Sequence, residues 1–374
     1  MNRLAIKNRY IYFLSIQLTA VFLLYVILPG RVALTLTAFQ PDSINSLCMG
    51  LLWFQNDPDS ISRVLNAIAD KFYADGVLLG CSPELTPPYR TRFFLSFLIG
   101  LFSLTGIWWF VLLPSILIYL LIGYIFWRIA AELYTEIRVK QLYLFLPFLS
   151  PHIAWFLANV MTEAPLMLSI LGLIYLTYVK KLDSRNLEYL VISILFVLAL
   201  ISKQSWPIVT VVMGAYLVTR NPRKKKSFLY LIALSISMIF AELVKLAGSY
   251  LYGDDFGTWN DFAVFQNPMG AIEGIALGLG NDLYSLFEFG DVFGVLGIGI
   301  ATWIIFAKIK TIEIRMILWT AVAWGLATMG SVYLADGSYG QNWRFLVFAT
   351  FLAYPLYLID KHSPQTSAER CLSA

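Results

Sequence analysis

Apolar segments about as long as a lipid bilayer is thick recur along the chain, and short clusters of Lys and Arg separate them. Residues 10–28, 107–127, 228–247, 292–307, 316–334 and 345–359 are runs of this kind. A bilayer core demands about 20 apolar residues per helix, because the backbone polar groups must be satisfied inside the segment. Hydrophobic residues make up 59% of the chain and charged residues only 13%, against about 25% charged in an ordinary soluble domain. That deficit excludes a soluble enzyme, a disordered chain and a nucleic-acid binder. The net charge of +4 is too mild to call for a polyanionic partner, so what matters is where the charges sit.

Two longer apolar stretches, 142–179 and 187–219, are each broken by a polar turn: Met161-Thr162-Glu163-Ala164-Pro165 in the first, Lys203-Gln204-Ser205-Trp206-Pro207 in the second. Basic clusters flank the runs at Arg3/Lys7/Arg9, Arg128/Arg138/Lys140, Lys180/Lys181/Arg185, Arg220/Arg223/Lys224/Lys225/Lys226 and Lys308/Lys310/Arg315. Cytoplasmic loops concentrate Lys and Arg. If every cluster is cytoplasmic, each long stretch crosses twice and each polar turn lies at the outer face. The expected fold is an all-α polytopic transmembrane bundle of about ten crossings with both termini cytoplasmic. It forms one membrane domain over residues 1–360, with a polar cytoplasmic tail at 361–374. The outer segments then carry more acid than base. The first run is too long for a signal-peptide core, and Pro29-Gly30-Arg31 is a poor cleavage site.

Two large outer loops follow from this layout, 30–92 and 248–291. In the first, Asp57-Pro58-Asp59-Ser60 has the form of a helix start, with Asp or Ser as N-cap. Ile61, Val64, Leu65, Ile68 and Phe72 follow at helical spacing, which predicts an amphipathic helix lying on the outer membrane surface. Residues 93–105 are too short for a safe crossing and read as a lead-in to the run at 107–127. Cys48 and Cys81 share the first loop and are close enough in sequence to pair; two free thiols is the favoured expectation.

Charges near membrane depth are expensive and persist where they pair or serve a site. Asp57 and Asp59 begin the loop helix, where a carboxylate suits a general base or a contact to a divalent cation, or simply a cap. Arg90 and Arg92, in Pro87-Pro88-Tyr89-Arg90-Thr91-Arg92, stand at an outer boundary against the positive-inside bias, and Arg forks grip phosphate oxygens. Glu163 suits a first helical turn. Lys203 interrupts an uncharged run at an outer turn and suits a lipid phosphate or a headgroup anchor. Arg344 closes the outer loop Asp336-Gly337-Ser338-Tyr339-Gly340-Gln341-Asn342-Trp343-Arg344. His152 and His362 are the only histidines, so no histidine metal cluster is expected. The glycines around 274–280 and 290–299 suit close helix packing better than phosphate cradling.

Together the acidic first outer loop, the Pro-Tyr-Arg-Thr-Arg run, the Thr-Glu-Ala-Pro turn and the Ser-Lys-Gln-Ser turn resemble the GT-C class of integral membrane glycosyltransferases, which includes protein mannosyltransferases and lipid A aminoarabinose transferases. The resemblance implies that an Asp of the first outer loop serves as base or metal contact, and Asp57 or Asp59 takes that place here. It implies that Arg90, Arg92, Lys203 and Arg344 contact the donor phosphate, with Glu163 beside them. It also implies a lipid-linked sugar donor and membrane lipids as partners, and a plasma-membrane location. The acid pair that the class carries close behind its first crossing is replaced by Asp42 alone. A transporter or lipid flippase, and a non-catalytic assembly subunit, are the alternatives.

Overall fold

The computed structural model describes residues 3–22, 41–54, 57–72, 93–133, 145, 147–150, 157–158, 163–180, 182, 184–202, 208–209, 211–215, 267–288, 291–336 and 344–362. All regular structure among them is helical. Helix α1 spans Arg3–Phe22, α2 Pro41–Phe54, α3 Pro58–Phe72 and α4 Phe93–Ser103. A 3-10 turn, Trp108–Leu112, leads into α5, Leu113–Leu133. Then come α6, Glu163–Ile174, which ends in a π turn Tyr175–Val179, and α7, Arg185–Ser202. Helix α8 spans Pro268–Glu288 and α9 Val292–Trp303, with a π turn Ile304–Lys308. Helix α10 spans Ile312–Asp336 and α11 Arg344–His362. Among the described residues, the 26-residue helix Trp108–Leu133 is the one long and apolar enough to cross a membrane by itself. At 1.5 Å per residue it is about 39 Å long, against about 30 Å of hydrocarbon.

Helix α5 is the axis of the bundle and packs against α1, α4, α6 and α11. An aromatic cluster fixes these contacts. Phe148 lies 5.0 Å from Phe13 of α1, 5.3 Å from Phe126 of α5 and 4.9 Å from Phe351 of α11, ring centre to ring centre. Edge-to-face pairs of this kind add roughly 0.5–1.5 kcal/mol each beyond their buried area. The same contacts give the helix directions. Tyr10 touches Tyr124 and Trp127, whereas Gln17 reaches the carbonyl of Tyr119, so α1 runs antiparallel to α5. Arg128 lies 3.4 Å from the Tyr175 hydroxyl, which brings the C-terminal ends of α5 and α6 together. Asp360 near the end of α11 meets the turn that follows α9, so those two helices also end side by side.

The outward surfaces are apolar. Leu117 and Leu121 of α5, Leu190, Ile194 and Val197 of α7, and Leu296, Trp303 and Phe306 of α9 are all exposed. Meanwhile Gln17, Ser115, Ser169 and Thr177 are buried. A protein in water distributes these residue types the other way round, and exposed apolar surface on this scale marks contact with something other than water.

Three sequence expectations change here. The first outer loop is not a loop with one helix, because Pro41–Phe54 also folds as a helix. Residues 93–103 are not a lead-in to α5 but a separate helix, ended by a turn in which Gly106 holds φ +71. That left-handed value costs glycine nothing and lets the chain reverse into α5. The second expected outer loop contains the 21-residue helix α8, where a Cβ on Gly270 would lie 2.9 Å from Cδ2 of Leu334 in α10, while Gly280 has nothing within 4 Å. A Cβ on Gly330 of α10 would lie 3.0 Å from the Cβ of Ala271. The expected crossing at 228–247 lies outside the described residues.

Candidate functional site

Helices α2, α3 and α4 gather at the N-terminal end of α5. Helices α2 and α4 meet through glycine: a Cβ on Gly50 would sit 2.5 Å from the backbone oxygen of Ser96, and one on Gly100 would sit 2.4 Å from the backbone oxygen of Gly50. Phe54 lies 5.5 Å from Phe97. Backbones approach this closely only where side chains are missing. Helix α3 packs beside them on α2 and on Trp108–Leu112. Its apolar residues Ile61, Leu65 and Ile68 are buried. The amphipathic helix is therefore present, but its apolar face covers protein at the end of α5 rather than lying on lipid. Ser62, Arg63 and Asn66 are left exposed on its other face.

The two acids at the start of α3 have different environments. Asp57 is the N-cap. Its carboxylate accepts from the backbone N–H of Asp59 at 3.1 Å, the N–H of Ser60 at 3.2 Å and the Ser60 hydroxyl at 2.6 Å. Arg63 stands 3.7 Å away. The Ser60 hydroxyl, then the N–H groups, hold the Asp57 carboxyl below its ordinary value, because each bond favours the charged form. The carbonyl of Asp59 accepts from Arg63 Nε at 3.3 Å, while its carboxylate is exposed and makes no bond among the described residues. Capping and free acidity are thus divided between neighbours two residues apart.

Glu163 is the first residue of α6 and only 4% exposed. A second buried carboxylate, Asp291, also 4% exposed, caps α9 by accepting from Gly294 N–H at 2.8 Å and from the Ser150 hydroxyl at 2.6 Å. Sequence reasoning placed Asp291 only at a loop boundary; the one available signal was an Asp directly before an apolar, glycine-rich run. Arg344 opens α11. Arg90, Arg92 and Lys203 lie outside the described residues, as does the side chain of Arg344. Cys48 is buried and disulfide-bonded, which overturns the expectation of two free thiols; Cys81 and Cys371 lie outside the described residues.

Arg128 lies near the C-terminal end of α5. Arg128 donates to Glu132 at 2.5 Å, and Lys308 stands 4.5 Å over the Trp303 ring. Arg315 donates to the carbonyl of Ile309 at 2.7 Å. Asp360, 2% exposed, accepts from the N–H groups of Lys310 at 3.1 Å and Thr311 at 2.7 Å. Among the described residues, no group of three or more His, Cys, Asp or Glu side chains is placed to hold a metal ion. No protein family, curated protein or solved structure compared with this chain matches it.

Proposed function

We propose that this chain is a polytopic membrane glycosyltransferase that moves a sugar from a polyprenyl-phosphate donor to a lipid or cell-envelope glycan on the extracytoplasmic face. The observation that carries the reading is the free Asp59 carboxylate. It stands on a folded cap at one end of α5, with Arg128 and Glu132 at the other end. The apolar outward faces of α5, α7 and α9 support several membrane spans beside the long helix. The disulfide at Cys48 supports an outward cap, since such bonds persist in oxidising compartments.

In this reading Asp59 takes the proton of an acceptor hydroxyl. The hydroxyl oxygen bonds to the sugar's anomeric carbon as that carbon's bond to the phosphate oxygen breaks, and polyprenyl phosphate departs. Cations at the outer helix entries, for which Arg90, Arg92, Lys203 and Arg344 are the candidates, would stabilise the charge that builds on the leaving phosphate. A divalent cation would serve the same end. Asp57 holds the helix that carries the base.

The test is transfer from radiolabelled polyprenyl-phosphate sugars by the purified protein in lipid. Asp59→Ala is expected to abolish turnover while leaving the fold intact. Absence of transfer with every donor, or full turnover in Asp59→Ala, overturns the proposal. A transporter or flippase is the second reading, favoured by the buried carboxylates Glu163 and Asp291 inside the bundle.

A further inference from the structure

The inward face of α5 carries polar groups with nothing to bond. Ser115, Tyr119, Gly123 and Trp127 follow one another at four-residue spacing, a column about 18 Å long at 1.5 Å per residue. All four are buried; Ser115 and Tyr119 are 0% exposed and Trp127 8%. Among the described residues, the hydroxyls of Ser115 and Tyr119 and the indole N–H of Trp127 have no hydrogen-bond partner, and neither does Oε1 of Gln17. Gln17, from α1, is 0% exposed and lies over Gly123, where its Nε2 donates to the carbonyl of Tyr119 at 3.2 Å. That bond fixes which end of the amide is left over: the oxygen.

Buried polar groups are almost always bonded, and those that protein leaves unbonded are the places where ordered water sits. The chemistry of this set narrows the occupant. Gln17 Oε1 only accepts, the Trp127 indole only donates, and the two hydroxyls do both. An anion would find no use for the amide oxygen, and a cation none for the indole. The four groups carry no charge with which to hold either. Water bonds all four.

We propose that the seam between α1 and α5 is an internal water site: a file of buried waters runs along α5 from Ser115 past Tyr119 and Gln17 to Trp127, inside the bundle at membrane depth. It rests on the membrane reading and not on glycosyl transfer. The polar groups belong to a wet column, which gives the bundle a hydrated interior that neither a dry helix contact nor the outer cap supplies.

The test uses the full chain in lipid nanodiscs with 15N-labelled tryptophan, the Trp127 indole signal being identified by its loss in Trp127→Phe. A cross-peak between that indole proton and water is expected. Tyr119→Phe, which keeps the ring and removes the hydroxyl, is expected to lower the melting temperature by about 1 °C, the scale of one lost bond in a chain of 374 residues. An indole proton with no contact to water overturns the proposal, whatever Tyr119→Phe does. A Tyr119→Phe protein as stable as the parent, or more stable, also overturns it, because removing a hydroxyl from a dry interior costs nothing. Failure of either result leaves the transfer assay untouched, so the two readings fall separately.

Discussion

Gly123→Ala is the sharpest probe of how α1 docks on α5. The added Cβ would lie 2.0 Å from Gln17 Nε2, 2.3 Å from its Cδ and 2.4 Å from its Oε1. Ordinary contacts lie at about 3.5–4.0 Å, so the amide must retreat by more than 1 Å. Gln17 is fully buried. The retreat breaks its 3.2 Å bond to the Tyr119 carbonyl and leaves an amide N–H stranded, at about 1–3 kcal/mol. Overpacking adds about 1–3 kcal/mol, and the better helix propensity of alanine returns about 1 kcal/mol. We expect a net loss of about 1–5 kcal/mol, read from denaturant unfolding followed by tryptophan fluorescence in mixed micelles. Because the clash is with a side chain, Gln17→Ala makes room for the methyl group. The double variant should therefore be more stable than the sum of the single changes by about 2 kcal/mol. If Gly123→Ala costs the same in the Gln17→Ala background, the glycine is not there for the glutamine.

Gly50→Ala is expected to behave differently, because its Cβ would meet the backbone oxygen of Ser96 at 2.5 Å. Helices α2 and α4 must separate, at about 1–3 kcal/mol, and no single side-chain truncation should rescue the loss in the same unfolding assay. Asp360→Ala strands the N–H groups of Lys310 and Thr311, and should cost about 1–3 kcal/mol with faster amide exchange at the start of α10. Asp57 has its carboxyl held below the ordinary value, so the stability it gives α3 is present above the usual carboxylate range. That stability disappears as pH falls through the lowered value. Titrating the amide shifts of residues 59–61 should show this fraying in the parent and not in Asp57→Asn, which has no charge to lose.

What the sequence disclosed was local. An Asp before Pro58 and an apolar pattern at helical spacing gave α3 and its cap, since both depend on residues within one turn of each other. Apolar runs gave α5, α9, α10 and α11 with ends within a few residues. The short helix α2 was hidden because 14 residues are too few for a span and its serines and glycine read as loop. Its helicity comes from packing on α4, some 45 residues later, as the contacts of Gly50 with Ser96 and Gly100 show. Helix α8 was hidden by glycines that look like loop, of which Gly270 meets Leu334 of α10. Gln17 drew no notice as one polar residue in an apolar run. Its meaning lies in a partner 102 residues away, and no spacing rule reaches that far. Of the candidate site, the division of labour between Asp57 and Asp59 needed coordinates, because either acid fits an N-cap by sequence.

The account depends on α3 facing the extracytoplasmic side. Asn66 is exposed on its polar face, so Asn66→Cys can be probed in intact cells with a membrane-impermeant maleimide. Labelling without permeabilisation is the predicted result; labelling only after the membrane is opened would contradict it.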